Sequence, residues 1–453
     1  MEKNLDVTIT LKRILYNAYT NTAYRCINLF GNVIIDDSEF YGHSSCVDTI
    51  LDYNGEYYNY LSISNSYFNG MHSNKCLKIY NSALATIDSC SFENGLANVY
   101  GGGAMLTYYS NVEVKNCKFK DIYSPYYGGI FYILYPISFT ADGLDIHNST
   151  AIYGGSLSYI YSIMDYTADI NFNNVNLYSS GENLNILYGG LLASITGKIN
   201  LNINNFYGEN LYSGGGYGLF IIEDGVSVEI KNIELRHVMG PNMGSLLVYS
   251  YENLNNPKFH ITNGTFIDFY QDLSRPSSVA VALAFIMSGE QIDILLKNCV
   301  FKDLVFYNAN LINTDLKSNI VLDNVYIDGY YLQREIDLIA NYNESNDTST
   351  LTMKDVTINN ANLIRSLAYY ISVDMLMSNV TYSNNSDGKE NYNSKNEIIH
   401  ILGTNNSNIN IVDSIFDNLY GYYGISVSDN INLKMVNSTI KNCFFKYGVI
   451  YVS

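Results

Sequence analysis

Acid–base or metal chemistry needs carboxylates, imidazoles, thiols or cations that meet at one place, and this chain has few candidates. The acidic ones are Asp36-Asp37 and Asp315, the last in the run Asn313-Thr314-Asp315. Arg236, Arg275, Arg334 and Arg365 are the cations that could take a proton from a sugar, but they fall at unrelated positions of the chain's repeat. The six His are equally dispersed. Seven Cys form no C-x-x-C and no Cys/His pair with zinc spacing, so neither a metal nor a cofactor is expected. Nothing converges on one cleft, and no catalytic residue is assigned.

Four tyrosines have the spacing of a binding surface. Tyr100, Tyr127, Tyr153 and Tyr188 each precede a Gly-Gly step on successive copies of the repeat. Copies that stack as strands would place these rings in one column with about 4.8 Å per copy. Such a column could simply brace the turns, aromatic on aromatic. It could also form a flat strip, bordered by glycine, on which a neutral polysaccharide or cell-surface glycan lies, since rings stack on sugar faces without countercharge.

Composition narrows the partners. The net charge is −18 with only 25 Lys and Arg, which argues against nucleic acid and anionic membrane surfaces. Uronic acid polymers would be repelled as well. Apolar residues at 47% exclude a disordered chain. Charged residues are only 15%, so Asn and the 44 Tyr must cover much of the surface. No run of 18 apolar residues occurs and the N-terminal stretch lacks a signal-peptide core, so no membrane insertion is expected within this segment. The last residues, GVIYVS, read as a strand without a polar cap; a longer parent chain and end-to-end self-association are expected from that.

The elements that position these residues come from a repeat. An apolar-x-Asn/Asp-x-x-apolar motif starts at Ile35, Ile63, Ile87, Val114, Phe139, Phe172, Ile203, Ile230, Ile261, Leu296, Leu322, Met353, Met377, Ile411 and Met435. These fifteen starts recur about every 29 residues, and residues 1–30 hold a degenerate first copy or cap. Asn or Asp fills the third position everywhere except Ser89 and Ala141, and an apolar residue fills the sixth except at Gly208. Each copy continues into a second short apolar run, such as GGIFYI at Gly128. The runs are rich in β-branched and aromatic residues and bounded by Gly, Asn or Ser, the signature of strands and turns rather than helix.

The expected fold is all-β: one right-handed parallel β-helix solenoid of about fifteen coils over residues 1–453. In it the first and third motif positions point inward, the chain bends after the third, and the Asn side chains stack as an internal ladder, coil on coil. Cys90, Cys117 and Cys299 each follow the third position. Cys90 and Cys117 would come within disulfide reach, although small buried thiols filling a turn fit better.

The segment FENGLANVYGGGAML, Phe92 to Leu106, with looser copies at FKDIYSPYYGGIFYI and FYGENLYSGGGYGLF, resembles a known family. It is similar to right-handed parallel β-helices of the pectin-lyase-like superfamily, and within it to surface and adhesin-type repeat proteins of the polymorphic outer-membrane-protein kind. From Gln291 onward the Gly-Gly signature fades. The resemblance implies a non-catalytic cell-surface or extracellular scaffold, structural or adhesive. The alternative it implies is a carbohydrate-active β-helix enzyme, a polysaccharide lyase or glycoside hydrolase. Asn313-Thr314-Asp315 matches the first catalytic element of the polygalacturonases, but the Asp-Asp, Gly-His-Gly and Arg-x-Lys that should follow are missing.

Overall fold

The computed structural model describes residues 7–18, 26–180, 190–212, 218–223, 227–240, 247–250, 258–271, 284–286, 291–307, 309–343, 347–362, 364–385, 396–403, 406–428 and 430–452. The described residues form an all-β parallel solenoid of about 13 turns without a helix. That is slightly fewer than the fifteen aligned motif starts; several turns run partly through residues outside the described set. The chain divides into two compact units, Met1–Ile222 and Glu223–Ser453.

In the first unit one turn suffices to show the construction. Strand Asn111–Lys115 alternates inward Val112 and Val114 with outward neighbours, and Val114 pairs in parallel with Ile87 before it and Ala141 after it. The chain bends and continues as Lys118–Ser124, then crosses to a second sheet as Phe131–Leu134. The sixth motif position fills the core: Phe40, Phe68, Phe92 and Phe119 stack with centroids 4.8, 5.2 and 5.1 Å apart, their planes within 14° of parallel. All four are buried.

The expected inward asparagine ladder is overturned. Third-position residues do take the left-handed conformation, with φ of 49° at Asn65, 51° at Asn116, 52° at Asn174 and 55° at Asn205, but their side chains are exposed. A residue with positive φ breaks the period-two alternation, so the third position turns outward and the fourth turns in. Small residues occupy that inward corner: Ser38, Ser66, Cys90 and Cys117 are buried. The two cysteines are free thiols. Outside, each third-position amide reaches back one turn: Asn116 Nδ2 donates to Asp88 Oδ1 at 3.0 Å, Asn174 to Asp142 at 2.7 Å and Asn205 to Asn174 at 2.9 Å.

Two further features lie beyond the sequence reading. The strand partners of Val114 and Phe119 are Ala141 and Ile146, so the motif in that turn starts at Ala141 rather than Phe139, and Gly143 with φ 70° is the bend residue. A second left-handed corner follows five residues after the first, at Asn94, Asp121, Asn148, Ser179 and Asn210. In addition, Cys26 and Cys46 form a disulfide with Cα atoms 5.5 Å apart, a pairing the spacing did not suggest.

The second unit repeats the scheme with longer strands such as Gln291–Phe306 and Lys317–Leu332. Phe266 stacks on Phe301 at 4.9 Å, and the exposed row runs from Asn324 to Asn298 at 2.9 Å and from Asn298 to Asn263 at 3.0 Å. Its second corner holds His237, Asp268, Asp303, Gly329 and Asn360.

Because φ is 52° at Asn298 and its amide is exposed, the backbone and not the hydrogen bond should set its tolerance. Asn298→Leu is expected to cost about 1–2 kcal/mol in urea unfolding. Asn298→Gly should stay within about 1 kcal/mol of the parent. Phe92→Ala, in the middle of the ring stack, should cost about 3–5 kcal/mol.

Candidate functional site

The outer face of the second sheet of the first unit gathers tyrosines. Strands Lys75–Tyr80, Met105–Tyr108, Phe131–Leu134 and Ser158–Ser162 bury Leu77, Met105, Phe131 and Ile160 and turn the alternate residues out. Outward rings on these strands are Tyr80, Tyr108, Tyr132, Tyr159 and Tyr161, and Tyr135 follows directly after Leu134. Along one edge Tyr80 meets Tyr108 at 5.7 Å, Tyr108 meets Tyr135 at 5.3 Å, and Tyr135 meets Tyr161 at 5.6 Å. Tyr109 stacks on Tyr135 at 4.9 Å within the same group. Two residues back, Tyr132 meets Tyr159 at 5.3 Å, and Tyr159 meets Tyr127 at 4.4 Å.

The tyrosines expected from the sequence border this surface, in a different register. The backbone of Tyr127 pairs with Gly101 and Gly154, so Tyr127 occupies a level that glycine holds in the turns on either side. Tyr100 and Tyr153 share their level with Tyr126 instead, whose carbonyl accepts a hydrogen bond from Tyr153 N–H at 3.0 Å. Tyr100 is 66% exposed, and the Tyr127 and Tyr153 rings are tilted 42° with centroids 5.7 Å apart. Tyr188 lies outside the described residues. The glycine step itself is backbone geometry: Gly102, Gly128 and Gly155 have φ of 70°, 62° and 71°, and a Cβ at each would strike the carbonyl oxygen of Met105, Phe131 or Ser158.

Tyr80, Tyr108, Tyr132, Tyr135, Tyr159 and Tyr161 escaped the sequence reading. Tyr108, Tyr132, Tyr135, Tyr159 and Tyr161 lie in the runs that follow a Gly-Gly step and Tyr80 in a run without one; which of them face out is legible only once the inward phase of those strands is known. Burial pushes the Tyr132 hydroxyl up to about 12 and raises those of Tyr108 and Tyr135, so these three hydroxyls stay neutral at neutral pH.

At the Tyr80 end the rings give way to a cleft of about 250 Å³ lined by Asn28, Phe30, Asp52, Asn54, Tyr80, Asn81 and Tyr108. Asn81 Nδ2 donates to Asn54 Oδ1 at 3.4 Å, and Asn81 Oδ1 has no hydrogen-bond partner among the described residues. The Lys78 ammonium lies 4.7 Å over the Tyr80 ring. The cleft thus adds amide hydrogen-bonding groups to ring faces.

The catalytic candidates do not converge. Arg236 pairs with Glu234, Arg334 lies 4.8 Å over the Tyr307 ring, and Arg275 is outside the described residues. Asp315 is raised by desolvation and has no hydrogen-bond or ion-pair partner among the described residues. No group of three His, Cys, Asp or Glu among the described residues could hold a metal. Comparison with family models, with curated proteins and with solved structures gives no match.

Arg365 does have a defined role in the second unit. Its Nε donates to Asp337 Oδ1 at 2.9 Å and its Nη2 to Oδ2, while Ser366 Oγ donates to the same carboxylate at 2.6 Å. Asp337 is fully buried. The guanidinium lies 5.5 Å over Tyr369, which stacks on His400 at 5.3 Å and meets Tyr342 at 5.2 Å.

Arg365→Ala strands the buried Asp337 carboxylate with the Ser366 hydroxyl as its remaining side-chain donor. The Arg365 side chain is 40% exposed, so the expected loss is roughly 2–3 kcal/mol, below that of a wholly buried pair. Urea unfolding of variant and parent side by side reads this loss.

Proposed function

We propose that this protein is a non-catalytic β-solenoid scaffold of the cell surface or extracellular space that binds neutral glycan on the tyrosine face of its first unit. The observation that carries the proposal is the run of rings Tyr80, Tyr108, Tyr135 and Tyr161, one per turn, at 5.3 to 5.7 Å. That step is comparable to the length of one sugar unit, and neighbouring rings are turned 64°, 87° and 73° to one another, so an extended chain meets ring faces and ring edges in alternation. Aromatic faces bury the apolar side of a sugar ring, and phenol hydroxyls can bond its edges. The amides of Asn28, Asn54 and Asn81 extend the same face with groups suited to hydroxyls.

Charge favours a neutral polymer. At −18 the chain repels polyanions, and no basic patch among the candidates offsets this. The Cys26–Cys46 disulfide suits an oxidising, extracytoplasmic compartment. The pairing of F-x-x-N-like elements with Gly-Gly steps supports a place beside adhesin-type repeats of the pectin-lyase-like superfamily rather than its enzymes.

Affinity electrophoresis through gels containing a neutral glucan, mannan or galactan is the test, with polygalacturonate as the charged control. Retardation by at least one neutral polymer and none by polygalacturonate is expected. Tyr108→Ala with Tyr135→Ala should abolish it while the far-UV spectrum is unchanged, and Tyr127→Ala with Tyr153→Ala should weaken it. Retention that survives the first pair, or no retention on any neutral polymer, sinks the proposal.

A further inference from the structure

Lys75 has no contact with water. Its side chain is 0% exposed, with Nζ 3.2 Å from Asp48 Oδ1 and 3.0 Å from the Val99 carbonyl oxygen. Thr49 is the strand partner of Lys75, so Asp48 belongs to the preceding turn. The other Asp48 oxygen, Oδ2, lies 3.3 Å from Lys78 Nζ, and Lys78 is in turn 4.0 Å from Asp52 Oδ2. Lys78, Asp48 and Asp52 are 10, 11 and 3% exposed. One carboxyl group therefore has a sequestered amine on one oxygen and an ammonium on the other, with a second carboxylate beside them.

We propose that Lys75 and Asp48 condense to an amide, a covalent cross-link between successive turns that this chain forms without another protein. The driving force is the cost of buried charge. Two ammonium groups and two carboxylates share a space nearly closed to water, and an ion pair there recovers only part of its desolvation. Condensation replaces one positive and one negative charge by a neutral amide and leaves Lys78 opposite Asp52. The backbone fold holds the reacting groups together, which removes the entropic part of the barrier.

The steps balance. Lys75 first passes a proton to Asp48 Oδ1, 3.2 Å away; burial lowers its amine to about 8, so the neutral form lies within reach near physiological pH. The nitrogen lone pair attacks Asp48 Cγ, the N–C bond forms, and the negative charge that develops on Oδ2 is met by the Lys78 ammonium. The second proton passes from the new nitrogen to Oδ1, which already carries the first, the C–O bond breaks, and one water leaves. The amide N–H keeps the Val99 carbonyl as acceptor. Other lysine–carboxylate pairs lack this setting: in Lys12–Asp36, Lys115–Glu113, Lys297–Asp323 and Lys441–Asp417 the lysine is 53, 43, 48 and 53% exposed and stays hydrated and charged.

Intact-mass spectrometry of the purified, reduced full chain tests this. The protein should weigh one water less than its sequence, and proteolysis should release a peptide containing Asp48 joined to one containing Lys75. Lys75→Met and, separately, Asp48→Ala should each show their full sequence mass and no joined peptide. A parent protein at full sequence mass overturns the inference, with no variant needed. A missing water that maps to another peptide, or that persists in Lys75→Met, overturns it equally.

Discussion

The structure depends on one backbone device, a lone residue of positive φ that turns the chain at a corner and is used twice, five residues apart, in turn after turn. With φ near 50° the chain changes direction in one step, and the parallel hydrogen bonding between turns repeats that step in register. Asn and Asp serve because they enter the left-handed region at lower cost than other residues with a Cβ. Gly143 serves because it has none. Once the corner is fixed, every other position has an assigned side: the residue after it points in and must be small or apolar, and the sixth position meets its counterpart on the neighbouring turn. The stacked phenylalanines follow from the corner; they do not cause it.

The same regularity makes a surface. In a parallel stack any side chain that recurs at the same offset becomes a row, and the spacing of the row is that of the backbone. Tyr80, Tyr108 and Tyr161 are such a row, with Leu134 at the same level and Tyr135, one residue on, supplying the ring in that turn; strands whose opposite face is buried in the core hold them, so the rings are placed by elements that cannot shift without repacking. A face of this kind, uncharged and evenly spaced, suits a repeating ligand better than a compact one.

Against this regularity the buried charges stand out. The quartet Asp48, Asp52, Lys75 and Lys78 in the first unit, and Asp337 with Arg365 in the second, are where the chain departs from apolar filling. Both tie residues of different turns, 27 and 28 positions apart, and both lie beside aromatic rings of the outward face. Nothing in the repeat requires charge there: Thr49 is the strand partner of Lys75, Asn28 that of Asp52, and Leu106 that of Lys78 on its other side.

The sequence by itself determined the fold class, the motif and its corner residue, because a fixed offset between an apolar pair and Asn or Asp admits few backbones. It also determined the core filling, since the sixth position is apolar in nearly every copy. It could not decide which way the corner side chain faces: alternation predicts inward, and only the positive φ at Asn116 and its equivalents reverses it. The phase error at Phe139 has the same origin, for Gly143 replaces the expected Asn and the apolar pattern alone tolerates a shift of two. Tyr100, Tyr127 and Tyr153 were legible as a group, but their levels were set by the strand register, which moved Tyr127 opposite glycine. The wider face of Tyr80, Tyr108, Tyr135 and Tyr161 needed the tertiary structure altogether, because whether alternate residues of a short strand face core or solvent depends on which turn packs beneath them.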